Sequence, residues 1–157
     1  MHDKPPVPIT AQQYQLLSSP IRLRILHVLA DEPKTAKQAA DAMGETRGNV
    51  HYHIQRLVHG GIVELTETRQ VGSITEKYYR SRGTRFMRGD PAERQAGRFS
   101  TITWLNLSLE EAEDLLQQVD VMLQAWERRR PAGDAVRHDY QVALRLTPAA
   151  DARDDAL

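Results

Sequence analysis

The chain has 157 residues, 40% hydrophobic and 27% charged, with no cysteine and a formal net charge of zero. That length suits one domain with an appendage, or two small units sharing a core. The lack of cysteine excludes disulfides, thiolate metal sites and cysteine nucleophiles, and no apolar run approaches the ~20 residues of a membrane span. The opening "MHDKPPVPIT" lacks an apolar core, so no secretory signal is expected and a cytoplasmic location is. The neutral balance hides an asymmetry. Residues 1–100 carry 15 Lys and Arg against 10 Asp and Glu, and residues 101–157 carry 6 against 11. The first part can attract a polyanion and the last part cannot.

Residues 1–9 hold three prolines and are expected to form a loose arm. Thr10 can cap a short helix over "AQQYQLL". In "SSPIRLRILHVLA", Ser19 is a good N-cap and Pro20 suits the first helical position, where its missing N–H costs nothing. Ile21, Ile25, Leu26 and Leu29 recur at helical spacing and predict a core helix. Thr35 can cap the small-sided helix "AKQAADAMG", which Gly44 ends. Thr46 can cap the next helix, which runs to about His59 and stops at Gly60 and Gly61.

"IVELTET", "RQVGS" and "ITEKYYRS" then predict two strands around a turn. Residues 82–98, with five arginines, three glycines and one proline, are expected to be a connector. "STITWLNL" predicts a strand. Ser108 and Glu111 form a capping box for a helix over about 109–130, closed by "RPAG". "HDYQVALRLTP" alternates Tyr140, Val142, Leu144 and Leu146 and predicts a half-buried strand. Residues 149–157 are expected to be a frayed acidic tail.

The helices at 36–43 and 47–59 meet at Gly44. Ala40 is small enough for a second helix to cross close to it, Gly44 supplies a tight turn, and Val50 seats the second helix on the first. With a core helix before and a hairpin after, the pattern is that of a winged helix. The run "LSSPIRLRILHVLADEPKTAKQAADAMGETRGNVHYHIQRLVHGGIVEL" and the wing ending "EKYYR" resemble the ArsR/SmtB-type winged-helix transcriptional regulators over roughly residues 12–86. The resemblance implies a dimeric DNA-binding regulator with helix 47–59 in the major groove. The fold class expected is therefore α+β, mainly α: a winged helix-turn-helix domain at 10–86, a connector between domains at 87–98, and a strand–helix–strand dimerisation unit at 99–148.

Stepping ~100° per residue along helix 47–59 puts Val50, Ile54 and Leu57 in one buried sector, bordered by His53 and Val58. Gly48, Tyr52, Gln55, Arg56 and His59 face outward, with His51 at the edge. His51 and His53 are two residues apart and cannot share an ion on one helical face. Family members that sense metals commonly carry cysteines in the helix matching 36–43, and this chain has none, so no metal ligand and no cofactor are expected. His53 is expected at the core edge with its nitrogens satisfied locally.

Gln55 can pair with adenine, and Arg56 or Arg47 can reach guanine or phosphate. Asn49, His51, Tyr52 and Thr46 are further candidates on the same helix. Arg69, Gln70, Ser73 and Lys77 are expected on the wing, and Thr35 and Lys37 at a helix start able to hold phosphate. Arg80, Arg82, Arg85 and Arg88 could extend this footprint or be a solvated linker. On helix 109–130, Leu109, Ala112, Leu116, Val119, Leu123 and Trp126 repeat with spacing 3,4,3,4,3. That is an a/d seam, widened by Leu115 and Met122, suited to a second copy or to a sheet of its own chain.

The appendage departs from the minimal family pattern, so an effector pocket for an unidentified small molecule is best sought there. Trp104, Trp126 and Tyr140 are lining candidates, though bulky aromatics are more often core. The expected function is a homodimeric repressor binding an inverted-repeat operator in double-stranded DNA. The alternative is a winged-helix protein-interaction module. No phosphate-binding glycine loop, Gly-x-Ser-x-Gly or HExxH motif points to an enzyme.

Overall fold

The computed structural model describes residues 5–89, 91–129, 133, 136–137 and 139–148. The chain divides into two compact units, one reaching to Trp104 and the other spanning Leu105–Pro148. The first unit runs β1 (Val7–Ile9), α1 (Ala11–Leu16), α2 (Pro20–Val28), α3 (Ala36–Met43), α4 (Arg47–His59), β2 (Val63–Val71), β3 (Ile74–Ser81), β4 (Arg85–Arg88), α5 (Pro91–Gln95) and β5 (Ser100–Thr103). The second contains α6 (Leu109–Glu127). The architecture is α+β and mainly helical, a winged helix-turn-helix. Among the described residues no helix is long and apolar enough to cross a membrane.

Local chemistry sets the helix starts. Thr10, Thr35 and Ser108 each form a reciprocal capping box, with Gln13, Gln38 and Glu111 as partners. Each box satisfies two backbone N–H groups that a helix start leaves over. Thr46 caps α4 through Asn49 N, and Pro20 occupies the first turn of α2 without a side-chain bond from Ser19. Gly44 ends α3 at φ 66°, in the left-handed region, where its N–H reaches back to Ala40 and Asp41. At the far end of α4, a Cβ on Gly60 would run into Leu16 of α1. The Gln13 side chain donates to the Gly60 carbonyl at 2.9 Å, so α1 is clamped there.

The core lies where α2, α3 and α4 meet. Ile25 and Leu26 of α2, Leu29 at its C-cap, Ala36, Ala39 and Ala40 of α3, and Val50, Ile54 and Leu57 of α4 are buried in one cluster. The alanines keep α3 close to its neighbours, and the α4 triplet is the sector that helical periodicity predicts. Ile62, Val63, Tyr79 and Phe86 extend the cluster into the strands. Burying a Leu or Ile side chain stabilises by about 1.5–3 kcal/mol, so this cluster is the main source of stability.

Two sheets flank the helices. β2 and β3 form an antiparallel hairpin turning at Gly72–Ser73, with Gly72 at φ 62° and a bulge between Leu65 and Glu67. The turn is tighter than the sequence suggests, and Arg69 and Gln70 belong to β2 rather than to the turn. The second sheet has the order β1-β4-β5, with β1 parallel to β4 and β5 antiparallel to it.

That second sheet corrects three expectations. Val7–Ile9 is a strand rather than part of a loose arm, with Ile9 buried and Pro8 tolerated on an edge strand that loses one donor at little cost. The stretch 82–98 expected to be a connector contains β4 and α5. The strand at Ser100–Thr103 pairs with β4 in the first unit and so does not belong to the appendage. Each pairing joins residues distant in sequence, which local alternation does not encode. The strand expected over "HDYQVALRLTP" is absent: described residues 139–148 have no ladder, and Tyr140, Val142 and Leu144 are exposed. Alternation marks a face, but a strand also needs a neighbouring edge to bond. The helix ends at Glu127, short of 130. The expected acidic tail at 149–157 lies outside the described residues.

Two glycines give opposite expectations. Gly44→Ala puts a Cβ at φ 66° and should destabilise by about 1–2 kcal/mol, as left-handed L-residues do. Gly48, inside α4, has ordinary φ and open space around a Cβ, so Gly48→Ala should stabilise by about 0.5–1 kcal/mol. Urea unfolding of both variants checks the pair of signs.

Candidate nucleic-acid interface

A groove of about 270 Å³ opens between the start of α3, the first turns of α4 and the groove-facing side of β3. It is lined by Thr35, Lys37, Arg47, His51 and Lys77, five of the residues singled out in the sequence, together with Glu76 and Tyr79. Four basic or titratable side chains thus converge from three elements on one concavity that holds a single carboxylate. The capping box occupies Thr35 N and Gln38 N, while the N–H groups of Ala36 and Lys37 in the same first turn have no intrahelical acceptor. The positive end of the α3 dipole therefore adds to the side-chain charge.

The remaining residues of α4 lie beside this groove. Asn49, Tyr52, Gln55 and Arg56 are all exposed. Arg56 donates to the Tyr52 hydroxyl at 3.4 Å and lies over the ring at 5.9 Å from its centroid, so the two side chains present one joint surface. Asn49 Nδ2 reaches Glu45 at 3.5 Å. Thr46 is spent as the cap. Gln55 has a partner that sequence reasoning missed: its Nε2 donates to the Tyr79 hydroxyl at 3.0 Å. Tyr79 is buried and exchanges both backbone bonds with Lys34, at 3.0 and 2.9 Å. Its position two residues after Lys77, on the same face of a strand, was a usable signal.

The hairpin sorts its own candidates by the alternation of strands. Lys77 and Thr75 share the groove-facing side with Gln70, whose carbonyl oxygen accepts from Thr75 Oγ1 at 2.9 Å. Arg69 is on the other side. Its guanidinium makes two bonds to the Glu67 carboxylate, at 2.5 and 2.7 Å, and lies over the Tyr78 ring at 4.7 Å. That pairing holds the Glu67 carboxyl below its ordinary pKa. Ser73 is exposed in the turn, flanked by the exposed cross-strand pair Val71 (54%) and Ile74 (63%). The structure therefore brings Thr35, Lys37, Arg47, His51 and Lys77 together and leaves Arg69 apart.

The histidines divide as helical spacing requires. His51 faces the groove and His59 is exposed at the helix end. His53 is half-buried, and its Nδ1 is buried with no hydrogen-bond partner, contrary to the expectation of local satisfaction. Burial lowers its pKa, and the nearby Arg22 and Arg56 guanidiniums lower it further, against the opposing charge of Glu45. Arg22 spends one guanidinium nitrogen on the Leu16 carbonyl at 2.6 Å, which ties α2 to α1. His27, edge-on to Trp104 at 5.5 Å, is lowered chiefly by burial, against a bond to the Thr84 backbone and the charge of Asp31.

A histidine whose pKa falls on folding binds more protons unfolded than folded. Stability should then be fully present above the unfolded value of 6.5 and be lost as pH falls through the lowered folded values. Urea unfolding at pH 7.5 and 5.5 should show lower stability at the acid value, and His53→Gln or His27→Gln should each shrink the difference. Equal pH dependence in parent and both variants would contradict these assignments. Tyr79→Phe removes the bond between α4 and the wing and should cost about 1 kcal/mol in the same assay.

Residues 17–66 match the family described as "Helix-turn-helix domain". No curated protein matches the chain. Among solved structures, it is 22% identical to the NMR structure of a homodimeric winged helix-turn-helix DNA-binding domain from Mycobacterium bovis, a possible ArsR-family transcriptional regulator. That likeness covers 79% of this chain and 86% of the other, with a TM-score of 0.38. A crystal structure of a possible transcriptional regulatory protein from the same organism is also 22% identical, covering 72% and 92%, with a TM-score of 0.35. At such TM-scores neither bears on function here. The family match spans the buried faces of α2, α3 and α4 and the first residues of β2. Residues 17–66, about a third of the chain, thus match a helix-turn-helix domain, and β2 and β3 add a wing to that stretch.

Proposed function

We propose that this protein is a homodimeric, sequence-specific DNA-binding regulator of the ArsR type, a repressor acting in the cytoplasm on an inverted-repeat operator without cysteine-based metal sensing. The observation that carries this reading is the groove that gathers Lys37, Arg47, His51 and Lys77 against the start of α3. In this reading α4 enters the major groove, with Tyr52, Gln55, Arg56 and Asn49 at base edges. Thr35, Lys37, Arg47, His51 and Lys77 hold phosphates and set the register. Gln70 and Ser73 approach the backbone from the wing. Arg69, already paired with Glu67, is the least suited of the wing residues to a phosphate. Gln55 is held by Tyr79 and so meets a base in a restricted orientation.

Self-association is assigned to the apolar stripe Leu109, Ala112, Leu116, Val119, Leu123 and Trp126 of α6. Leu109 and Trp126 are 78% and 61% exposed, a state that a second copy would relieve. One observation favours a protein-interaction module instead: the apolar pair Val71 and Ile74 exposed at the wing tip, a surface suited to protein contact.

Salt separates the two readings. Neutralising phosphates releases counterions, so DNA affinity should fall steeply with ionic strength. Lys77→Ala and Lys37→Ala should weaken binding to all duplexes alike and each lower the salt slope by about one. Tyr52→Ala should cost about 1–3 kcal/mol on the preferred sequence and relax the preference there. Gly48→Ala, which stabilises the fold, should weaken DNA binding if the duplex approaches α4 closely. Affinity indifferent to salt and to both lysines would favour the interaction module.

A further inference from the structure

We infer that two copies of this chain pair their α6 helices antiparallel, about a two-fold axis that crosses the helix between Gln117 and Gln118. The inference rests on the homodimer reading above and adds its geometry. Six positions form the seam: Leu109, Ala112, Leu116, Val119, Leu123 and Trp126. Leu109, Leu116 and Trp126 are exposed on α6, as is Met122 beside them. The seam is uneven in size, with its smallest residue, Ala112, in the second layer and its largest, Trp126, in the last.

A parallel pair matches each position with itself. Ala112 then meets Ala112 and leaves a void, while Trp126 meets Trp126 and holds the helices apart at one end. An antiparallel pair about that axis matches Leu109 with Trp126, Ala112 with Leu123, and Leu116 with Val119. Every layer then combines a larger with a smaller side chain, as close packing requires. The ends agree: Glu110 and Glu111 lie in the first turn of α6, and Arg128 and Arg129 follow its last turn. Antiparallel pairing brings the acidic start of each helix near the basic end of the other and opposes the two helix dipoles.

One flank argues the other way. Glu113, Asp120 and Glu127 line one side of the seam and would meet the same row of the second copy. These side chains are exposed, so water and salt screen them, whereas an Ala–Ala void in the seam is not relieved by solvent. Added salt should accordingly strengthen the dimer.

Because the chain has no cysteine, disulfide trapping reads the orientation directly. Full-length Ala112→Cys and Leu123→Cys chains, one bearing a mass tag, are mixed as reduced dimers, re-equilibrated and oxidised. The antiparallel pair should give the mixed 112–123 product in about tenfold excess over either self-product, because the cysteines of a self-product lie too far apart to bond. Leu109→Cys with Trp126→Cys, whose self-products are further apart still, supplies a second pair should either first variant fold poorly. A dominant 112–112 product would establish parallel pairing and overturn the inference. No product from either pair, with a dimer by light scattering, would place the interface elsewhere and overturn it too. A monomer by light scattering in the unsubstituted chain would defeat the homodimer reading itself.

Discussion

The wing depends on the backbone of Tyr79. A two-stranded hairpin is not stable alone in water, so β2 and β3 must be held by something outside themselves. Tyr79 supplies this twice: its N–H and carbonyl bond both ways to Lys34, just before α3, and its hydroxyl accepts from Gln55 on α4. Below it, Ser81 N donates to the Leu29 carbonyl at 2.9 Å and Val63 is buried in the core. The hairpin, α4 and the segment before α3 are thereby referred to one buried residue. The groove has a fixed width because Lys77, two residues before Tyr79, is held at a set distance from the start of α3.

That constraint explains how a chain with zero net charge presents a basic face. Charge acts through where it is gathered, not through the sum. Lys37, Arg47, His51 and Lys77 come from three elements separated in sequence and meet in one concavity. Elsewhere cations are spent internally: Arg69 on Glu67, Arg22 on the Leu16 carbonyl, and Arg24 on Glu45 at 3.6 Å and on the Met43 carbonyl at 3.1 Å. Arg24 in this way fastens α2 to the turn between α3 and α4. The +5 of the first hundred residues therefore contains both groove-lining charges and structural ones, and only geometry separates them.

Much of this was legible in the sequence because it is locally encoded. Caps at Thr10, Thr35, Thr46 and Ser108, the left-handed stop at Gly44 and the Val50, Ile54, Leu57 sector all follow from neighbours within a turn or two. What was not legible is non-local. Val7–Ile9 becomes a strand only because β4, nearly eighty residues later, offers an edge. The stretch after Asp139 alternates just as well and finds no ladder among the described residues. In the candidate site, strand parity separates Arg69 from Lys77 on the wing, and the Gln55–Tyr79 bond was missed because it joins a helix to a strand across 24 residues. His53 was assigned to the core edge correctly, but its unpartnered Nδ1 and the nearby Arg22 on another helix were not foreseen.

Selection from a pool of random duplexes tests most directly the proposal that this fold reads DNA as a two-fold pair. Purified full-length protein should enrich an inverted repeat whose half-sites are about 10–10.5 base pairs apart or a multiple of that, as two recognition helices related by a two-fold axis require. A pool that remains unenriched after repeated rounds at low salt would contradict that proposal.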